Sequence, residues 1–491
     1  FGSSAAAALD QMSLLPYGNS LSAKPLGLRG PFRIHGASRA NPQGSASRAQ
    51  GFRTVTTGLA VGLVLGFRHL RARRVIRRLV TMRWQPPMGG KDLPKALSAT
   101  DGMKPEAAPE EVFTTDTITK RMPKILDSVL SKMPSDFKTP PVLEGVKQLQ
   151  EEMRSNAQLK LLESSSARVG AANWNPHLSE FIEKGEGWHT APWWLVENYM
   201  YKRLLEELDK CEAAATYDPF APVKMEALKQ AEESLNASLA PLMEFVTTAS
   251  VDEALDATLL RSLWGNQADL SLSAGEVAET KGGALENLVS DRRSTALTLL
   301  KTAKEVILVL DNHGLEVLCD LVFVDSILRL TDASVVLHVK DAPVFVSDVT
   351  EKDVPEILDW LTLRAPELAE RLKGSMASKR LSVKAHGFYT GGKAFWELPE
   401  DLQADYAEAV VVLKGDANYR RLLGDLHWPY DTDFVDYAKS WWKGFGLICL
   451  RTMKSGVALD ITPEEQRRVK ELHPEDWLTS GTYGQVLAFQ R

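Results

Sequence analysis

Apolar positions begin to recur at helical spacing just past residue 116. Ile118, Met122, Ile125, Val129 and Met133 lie three or four residues apart, which places them on one face of a helix. Val142–Leu162 repeats the character, and Trp193–Leu208 (WWLVENYMYKRLLEEL) predicts a helix with Pro192 at its first turn. Helical spacing also marks Val223–Val246 and Glu253–Trp264. Strand signals are scarce throughout, so residues 117–262 read as an all-helical domain. Trp188, Trp193, Trp194, Tyr199 and Tyr201 are either a ligand-stacking box or, as aromatics on packed helices usually are, part of the core.

Beyond Trp264 the pattern changes to short β-branched runs separated by helical segments. Glu305–Leu310, Val335–Val339, Val344–Val346, Ala409–Leu413, Leu447–Leu450 and Val486–Phe489 each read as a buried strand. Their alternation with helices predicts an α/β fold for residues 263–491, a mostly parallel sheet with helices on both faces. Ligands of such sheets collect at the carboxyl ends of the strands.

Charge changes the picture at one end of the chain. The 491 residues carry a net charge of −6, but the first 90 hold thirteen Lys and Arg against the single acid Asp10, a net of +12 that leaves the remainder at −18. Residues 1–88 therefore form a basic, acid-poor tail, and residues 1–56 have the Ala, Ser, Gly and Arg content of mitochondrial or plastid transit peptides. An extension with no address (hence a cytoplasmic protein) and a basic helix on an anionic membrane surface are the competing readings. The apolar run Thr57–Phe67 has 11 residues, short of the ~20 a spanning helix needs, so no integral membrane span is expected. Prolines and glycines make 89–116 a linker.

The acidic remainder argues against a nucleic-acid binder. With 44% apolar and 25% charged residues the composition is that of a globular protein. Cys211, Cys319 and Cys449 have neither CxxC spacing nor even pairing, which argues against a disulfide framework or a thiolate zinc site.

Four predicted strands end in chemically capable residues: Asp311-Asn312-His313-Gly314-Leu315-Glu316, Ser347-Asp348, Lys414 through Arg420, and Arg451-Thr452-Met453-Lys454. Asp311, Asn312 and Asp348 offer hard oxygen ligands for Mg²⁺ or Mn²⁺. Arg420, Lys454 and Lys414 offer cations for an anion. A divalent ion facing bases is the arrangement expected for a phosphate ester, whose developing charge is clamped from both sides. Any one of these residues alone would read as a helix cap; four polar strand ends together weaken that reading.

At these residues the sequence resembles the metal-dependent damage-control phosphatases with the acidic-residue-methyltransferase-like domain, in the subfamily marked by an RTxK motif. Arg451-Thr452-Met453-Lys454 matches that motif, Asp311-Asn312-x-Gly-x-Glu the metal segment, and Asp416-x-Asn418-Tyr419-Arg420 the substrate segment. The stretch from Leu263 to Leu272, the region around Ala191-Pro192-Trp193, and Gly481-Thr482-Tyr483-Gly484 are similar as well. The resemblance runs from about residue 117 to 491. It implies a helical domain packed on an α/β domain and a catalytic ion, Mn²⁺ or Mg²⁺ with Co²⁺ or Ni²⁺ possible, held by Asp311, Asn312 and Asp348. It further implies that Asp416, Ala417, Asn418, Tyr419, Arg420 and Lys454, with Asp311 and Asn312, bind a sugar phosphate of the fructose 1-phosphate or fructose 6-phosphate type. Ala417 replaces a usual leucine and His313 a usual small residue. His313 would favour softer ions, bond phosphate, or point away.

The expected reaction is phosphomonoester hydrolysis, with Asp311 as metal ligand, base or nucleophile. Asn266 and Asp269 would support the ligands or form a structural turn. The alternative is an S-adenosylmethionine-dependent protein carboxyl (glutamate) O-methyltransferase, in which Glu316 and Asp348 contact the cofactor; the single glycine of Asp311–Glu316 is poor support for a nucleoside loop. Asp431-Thr432-Asp433-Phe434-Val435 fits a DxDxV nucleophile pattern, but His427-Trp428-Pro429-Tyr430 stands where a strand should precede it. Gly391-Gly392-Lys393-Ala394 lacks the rest of a P-loop. A non-enzymatic scaffold with a partner-binding helical half is disfavoured by the intact metal and RTxK residues.

Overall fold

The β-branched runs assemble into one sheet. A computed structural model describes residues 84–90, 93–265 and 285–491; the basic tail through residue 83, and Asn266 and Asp269, lie outside the described residues. The strands are β1 (Leu288–Asp291), β2 (Glu305–Val309), β3 (Ser334–Val339), β4 (Leu381–Ala385), β5 (Val410–Lys414), β6 (Gly446–Thr452) and β7 (Gly484–Gln490). Their order is β1-β7-β6-β5-β2-β3-β4. Neighbours run parallel except β6 and β7. After β2 the chain moves outward to β3 and β4, then returns to place β5 on the other side of β2. The gap beyond the carboxyl ends of β2 and β5 is therefore the topological switch point, where open α/β sheets bind ligands.

Eight helices precede the sheet among the described residues: α1 (Pro109–Asp116), α2 (Met122–Lys132), α3 (Pro140–Arg154), α4 (Ala171–Ile182), α5 (Trp193–Leu208), α6 (Ala221–Ser234), α7 (Ala240–Thr248) and α8 (Val251–Leu263). Within and after it come α9 (Arg293–Thr302), α10 (Leu315–Leu330), α11 (Asp353–Arg364), α12 (Pro366–Ala377), α13 (Glu400–Tyr406), α14 (Gly415–Leu423), α15 (Phe434–Trp441) and α16 (Pro463–Leu472). Among the described residues none is long and apolar enough to cross a membrane.

The period of two along each strand decides which core it feeds. Val306, Leu308, Val410, Val412, Ile448 and Leu450 pack against α6 through α12. Ile307, Val309, Val411, Leu413, Leu447 and Cys449 face the opposite layer, where α13, α14 and α15 bring Tyr406, Tyr419 and Trp441. Both faces being covered explains the unbroken apolar runs. The helices before the sheet serve two cores: residues 118–220 form one of their own, joined by Ala342 and Val344, while Leu228 through Trp264 pack with the sheet.

Some local expectations change. Val344–Val346 is a turn rather than a strand, with Phe345 and Val346 at φ of 53° and 68°; its apolar side chains pack on the helical core and not in the sheet. β1 and β4 escaped the apolar reading because each is short, half polar and on a sheet edge. The helix begun near Val142 ends at Arg154, and Leu159 and Leu162 reach the same core from extended chain. The aromatic group on and before α5 is core: Trp188, Trp193, Trp194, Tyr199 and Tyr201 are all buried.

Candidate active site

Past the end of β2 the chain runs into Asp311 and Asn312, and the loop after β3 returns alongside as Ser347, Asp348 and Val349. The two segments pair as a short antiparallel ladder: Asn312 bridges Asp348, the Val349 N–H donates to the Asp311 carbonyl (2.9 Å), and the His313 N–H donates to that of Ser347 (2.7 Å). Two buried carboxylates are thus brought together. Burial, then the neighbouring Asp348 charge, pushes the Asp311 carboxyl well above the usual range. Burial raises Asp348 as well, against the pull of Lys340.

Lys340, just past β3, is the counter-charge. Its buried Nζ lies 2.9 Å from Asp348 Oδ2, an ion pair off hydrogen-bond alignment, and 3.8 Å from Asp311 Oδ1. It also donates to the Leu310 carbonyl (2.8 Å). The Asn312 amide is fixed from both ends. Nδ2 donates to Asp311 Oδ2 (3.0 Å) and Glu316 Oε2 (2.9 Å), while Oδ1 accepts from Ser347 Oγ (2.6 Å). Asp311 Oδ1 is left buried with no hydrogen-bond donor among the described residues.

Across the switch point β5 delivers the start of α14. Gly415 has φ +78°, and a Cβ there would stand 1.8 Å from Asp311 Oδ2. Only glycine permits this backbone to close on the carboxylate. The first-turn N–H groups of a helix have no intrahelical acceptor, and so favour an anion. Asp416 Oδ1 accepts from Arg451 Nε (2.7 Å), the Lys454 N–H (3.3 Å) and Ser455 Oγ (3.2 Å). These bonds leave its Oδ2 for a ligand.

The four residues at and just past the end of β6 divide their work. Arg451, fully buried over the Tyr419 ring (4.2 Å), bonds Asp416, Gln485 and Ser455. Thr452 completes the pairing with β7, and Met453 enters a small core with Val289, Trp477 and Tyr483. Lys454 emerges half-buried with no ion-pair partner among the described residues, near enough to draw the Asp311 carboxyl down.

Other sequence candidates are engaged with protein. Arg420 is buried between Asp425 (2.7 and 3.0 Å) and Glu197 of α5 (2.7 Å), 3.6 Å above the Trp193 ring. Asn418 donates to the Lys414 (2.8 Å) and Leu310 (3.3 Å) carbonyls, tying α14 to the end of β2. The Tyr419 hydroxyl accepts from the Leu459 N–H (3.2 Å). Ala417 is partly exposed on the first turn of α14. Glu316 is buried between Asn312 and Lys414. Lys414 turns away from the anion side toward Glu316 (3.6 Å), Asp320 (3.2 Å) and the Ser262 carbonyl. His313 is held neutral by burial, its pKa pushed down to about 4, and its charged neighbours are Asp353, Lys224 and Asp218 rather than the two aspartates; the ring points away. Asp433 of the DxDxV stretch caps α15 and pairs with Arg292.

Sequence reasoning missed Lys340 and Glu197, and named Ser347 and Gly415 without giving either a role of its own. A signal existed for the first, a lysine ending an otherwise apolar strand run. Among the described residues no three His, Cys, Asp or Glu side chains form a ligand group, and the third donor of the candidate set is an amide oxygen. Two buried carboxylates, each with one oxygen that has no hydrogen-bond donor among the described residues, fit a hard divalent cation, while the Asn312 amide turns Nδ2 toward Asp311 and its oxygen toward Ser347.

The damage-control phosphatase ARMT1-like domain family matches residues 117–469, from the helical core through the site to α16. The chain belongs to that family. Damage-control phosphatase ARMT1 of Rattus norvegicus is 32% identical over 357 residues, covering 63% of this chain and 78% of that protein. Its Mus musculus counterpart is 28% identical over 444 residues, covering 81% and 98%. A crystal structure of a DUF89 family protein from Pyrococcus horikoshii aligns with a TM-score of 0.41 at 13% identity, covering 73% of this chain and 94% of that one. The ARMT1-like domain thus contains every candidate described above.

Two outcomes follow from this geometry. Gly415→Ala should lose roughly 1–2 kcal/mol from the left-handed backbone alone and more from the collision with Asp311, seen as a lower urea midpoint. The second concerns the Lys414 cluster, where two buried carboxylates share one ammonium. Burial pushes Asp320 up to about 7, while an unfolded aspartate titrates near about 4. This acid therefore adds stability that is full below pH ~4 and lost as pH rises through ~7. Asp320→Asn should flatten that decline in urea melts between pH 5 and 8.

Proposed function

We propose that this member of a damage-control phosphatase family is a metal-dependent phosphomonoesterase acting on sugar phosphates of the fructose 1-phosphate and fructose 6-phosphate type. The observation that carries the reading is the meeting, at one switch point, of an Asp311 oxygen and a Lys454 ammonium that are both without partners among the described residues, with the first turn of α14. Asp311, Asn312 and Asp348 would hold the ion, Mn²⁺ or Mg²⁺, with Co²⁺ or Ni²⁺ as alternatives. When bound it supplies Lewis-acid polarisation of a phosphoryl oxygen.

The protein groups do the rest. Lys454 neutralises the phosphate and the charge that grows on it in the transition state, assisted by the α14 N–H groups. Asp416 Oδ2, its partner oxygen tied down by Arg451, accepts from a sugar hydroxyl. Asn418, Tyr419 and Arg420 keep α14 in place beneath these contacts, and Lys340 holds Asp348 in line with Asp311. Glu316, bonded to Asn312 and beside Lys414, gives the methyltransferase alternative no added support. The basic tail we read as an organelle address.

The test is phosphate release from fructose 1-phosphate and fructose 6-phosphate with each of the four metals. Activity should require metal, vanish in Asp311→Ala, and fall roughly 10²-fold in kcat/KM in Lys454→Ala. Turnover that persists with chelator present, or in Asp311→Ala, would sink the assignment. Calorimetry with S-adenosylmethionine should show no heat.

A further inference from the structure

The loop carrying Asp348 contains two successive residues, Phe345 and Val346, in the left-handed region at φ 53° and 68°. Neither is glycine, and Val346 is β-branched, the residue type that tolerates this region least. The Ser347 N–H closes back on the Phe345 carbonyl at 2.8 Å, a tight γ-turn of the strained hand. Such a conformation persists only where its surroundings over-determine it.

The surroundings come from α5. Its residues Trp194, Glu197, Asn198 and Tyr201 recur at helical spacing and share one face. The Phe345 ring stacks on Trp194 (5.8 Å between centroids, 24°) and tilts against Tyr201 (5.3 Å). Ala342 and Val344, just before it, are buried in the helical core. The same face of α5 reaches α14: Trp194 lies under Arg421 (4.6 Å) and Arg420 (5.0 Å), and Glu197 pairs with Arg420.

We propose that Phe345 is a positioning residue: seated between Trp194 and Tyr201, it holds the left-handed turn at Val346 that presents Asp348 to the site. Through that contact the helical core sets the alignment of Asp348 with Asp311 and Asn312. The inference rests on reading those three as the ion's ligands, and its test separates the two.

Phe345→Ala, Val346→Gly and the double variant are compared with wild type by Mn²⁺ calorimetry and by hydrogen exchange over residues 347–350, where the Val349 N–H donates to Asp311. Phe345→Ala should weaken Mn²⁺ roughly 10–100-fold and speed exchange, while KM for fructose 6-phosphate at saturating Mn²⁺ stays within about twofold of wild type because the phosphate contacts of α14 and Lys454 are untouched. Val346→Gly alone should leave both readouts near wild type. In the double variant glycine adopts the turn without help, so Mn²⁺ affinity and exchange protection should return. Unaltered exchange in Phe345→Ala, or no recovery in the double variant, overturns the proposal. A wild-type protein that takes up no Mn²⁺ overturns the ligand reading, and the exchange measurement still decides the role of Phe345.

Discussion

Two carboxylates held together in a protein interior repel each other in a medium that screens them poorly, and the cost of keeping both ionised is severe unless positive charge is supplied. Asp311 and Asp348 are in that position. Much of the surrounding structure is a response to it. One lysine supplies the permanent counter-charge from β3, an amide held by Ser347 donates from the side, and the backbone of Gly415 closes against the far oxygen of Asp311. A single ammonium balances only one of the two charges, and the Asp311 carboxyl is pushed well above its usual range.

The same arithmetic repeats one layer deeper with a different result. Glu316 and Asp320 share Lys414, and that cluster is sealed. Burial first, and the Glu316 charge after it, push the Asp320 carboxyl up to about 7 against the pull of Lys414. The chain thus holds two acid-rich clusters side by side, one facing the switch point and one closed to it. Their difference lies in access and not in residue type.

Much of this was legible in the sequence, for reasons that can be named. Strands buried on both faces must be apolar throughout, so β2, β3, β5 and β6 were visible as runs, and strand-end Asp, Asn and Lys pointed to the carboxyl end of the sheet, where Asp311 and Asp348 meet. Edge strands such as β1 and β4 need only one covered face and carried no run. Val344–Val346 misled because an apolar triplet looks the same whether it packs in a sheet or against neighbouring helices. Arg420 and Lys454 were equivalent cations on paper; only the fold shows that Asp425 and Glu197 already claim the first. Partnership between residues more than 200 positions apart leaves no trace in local spacing.

The place of β7 has a consequence for how the chain folds. Among the described residues β1 pairs only with β7, and β6 has β7 along one whole side. These pairings join residues 288–291 to residues 484–490, so their loop closure spans nearly the whole α/β portion. Until β7 emerges during synthesis, the flank of β6 is an open row of unpaired backbone groups, the kind that recruits other chains, and β1 has nothing to pair with. Sheet completion is then a late, non-local and intrinsically slow event. Because Arg451 in β6 bonds Gln485 in β7 while it holds Asp416, the setting of Asp416 depends on that long-range pairing.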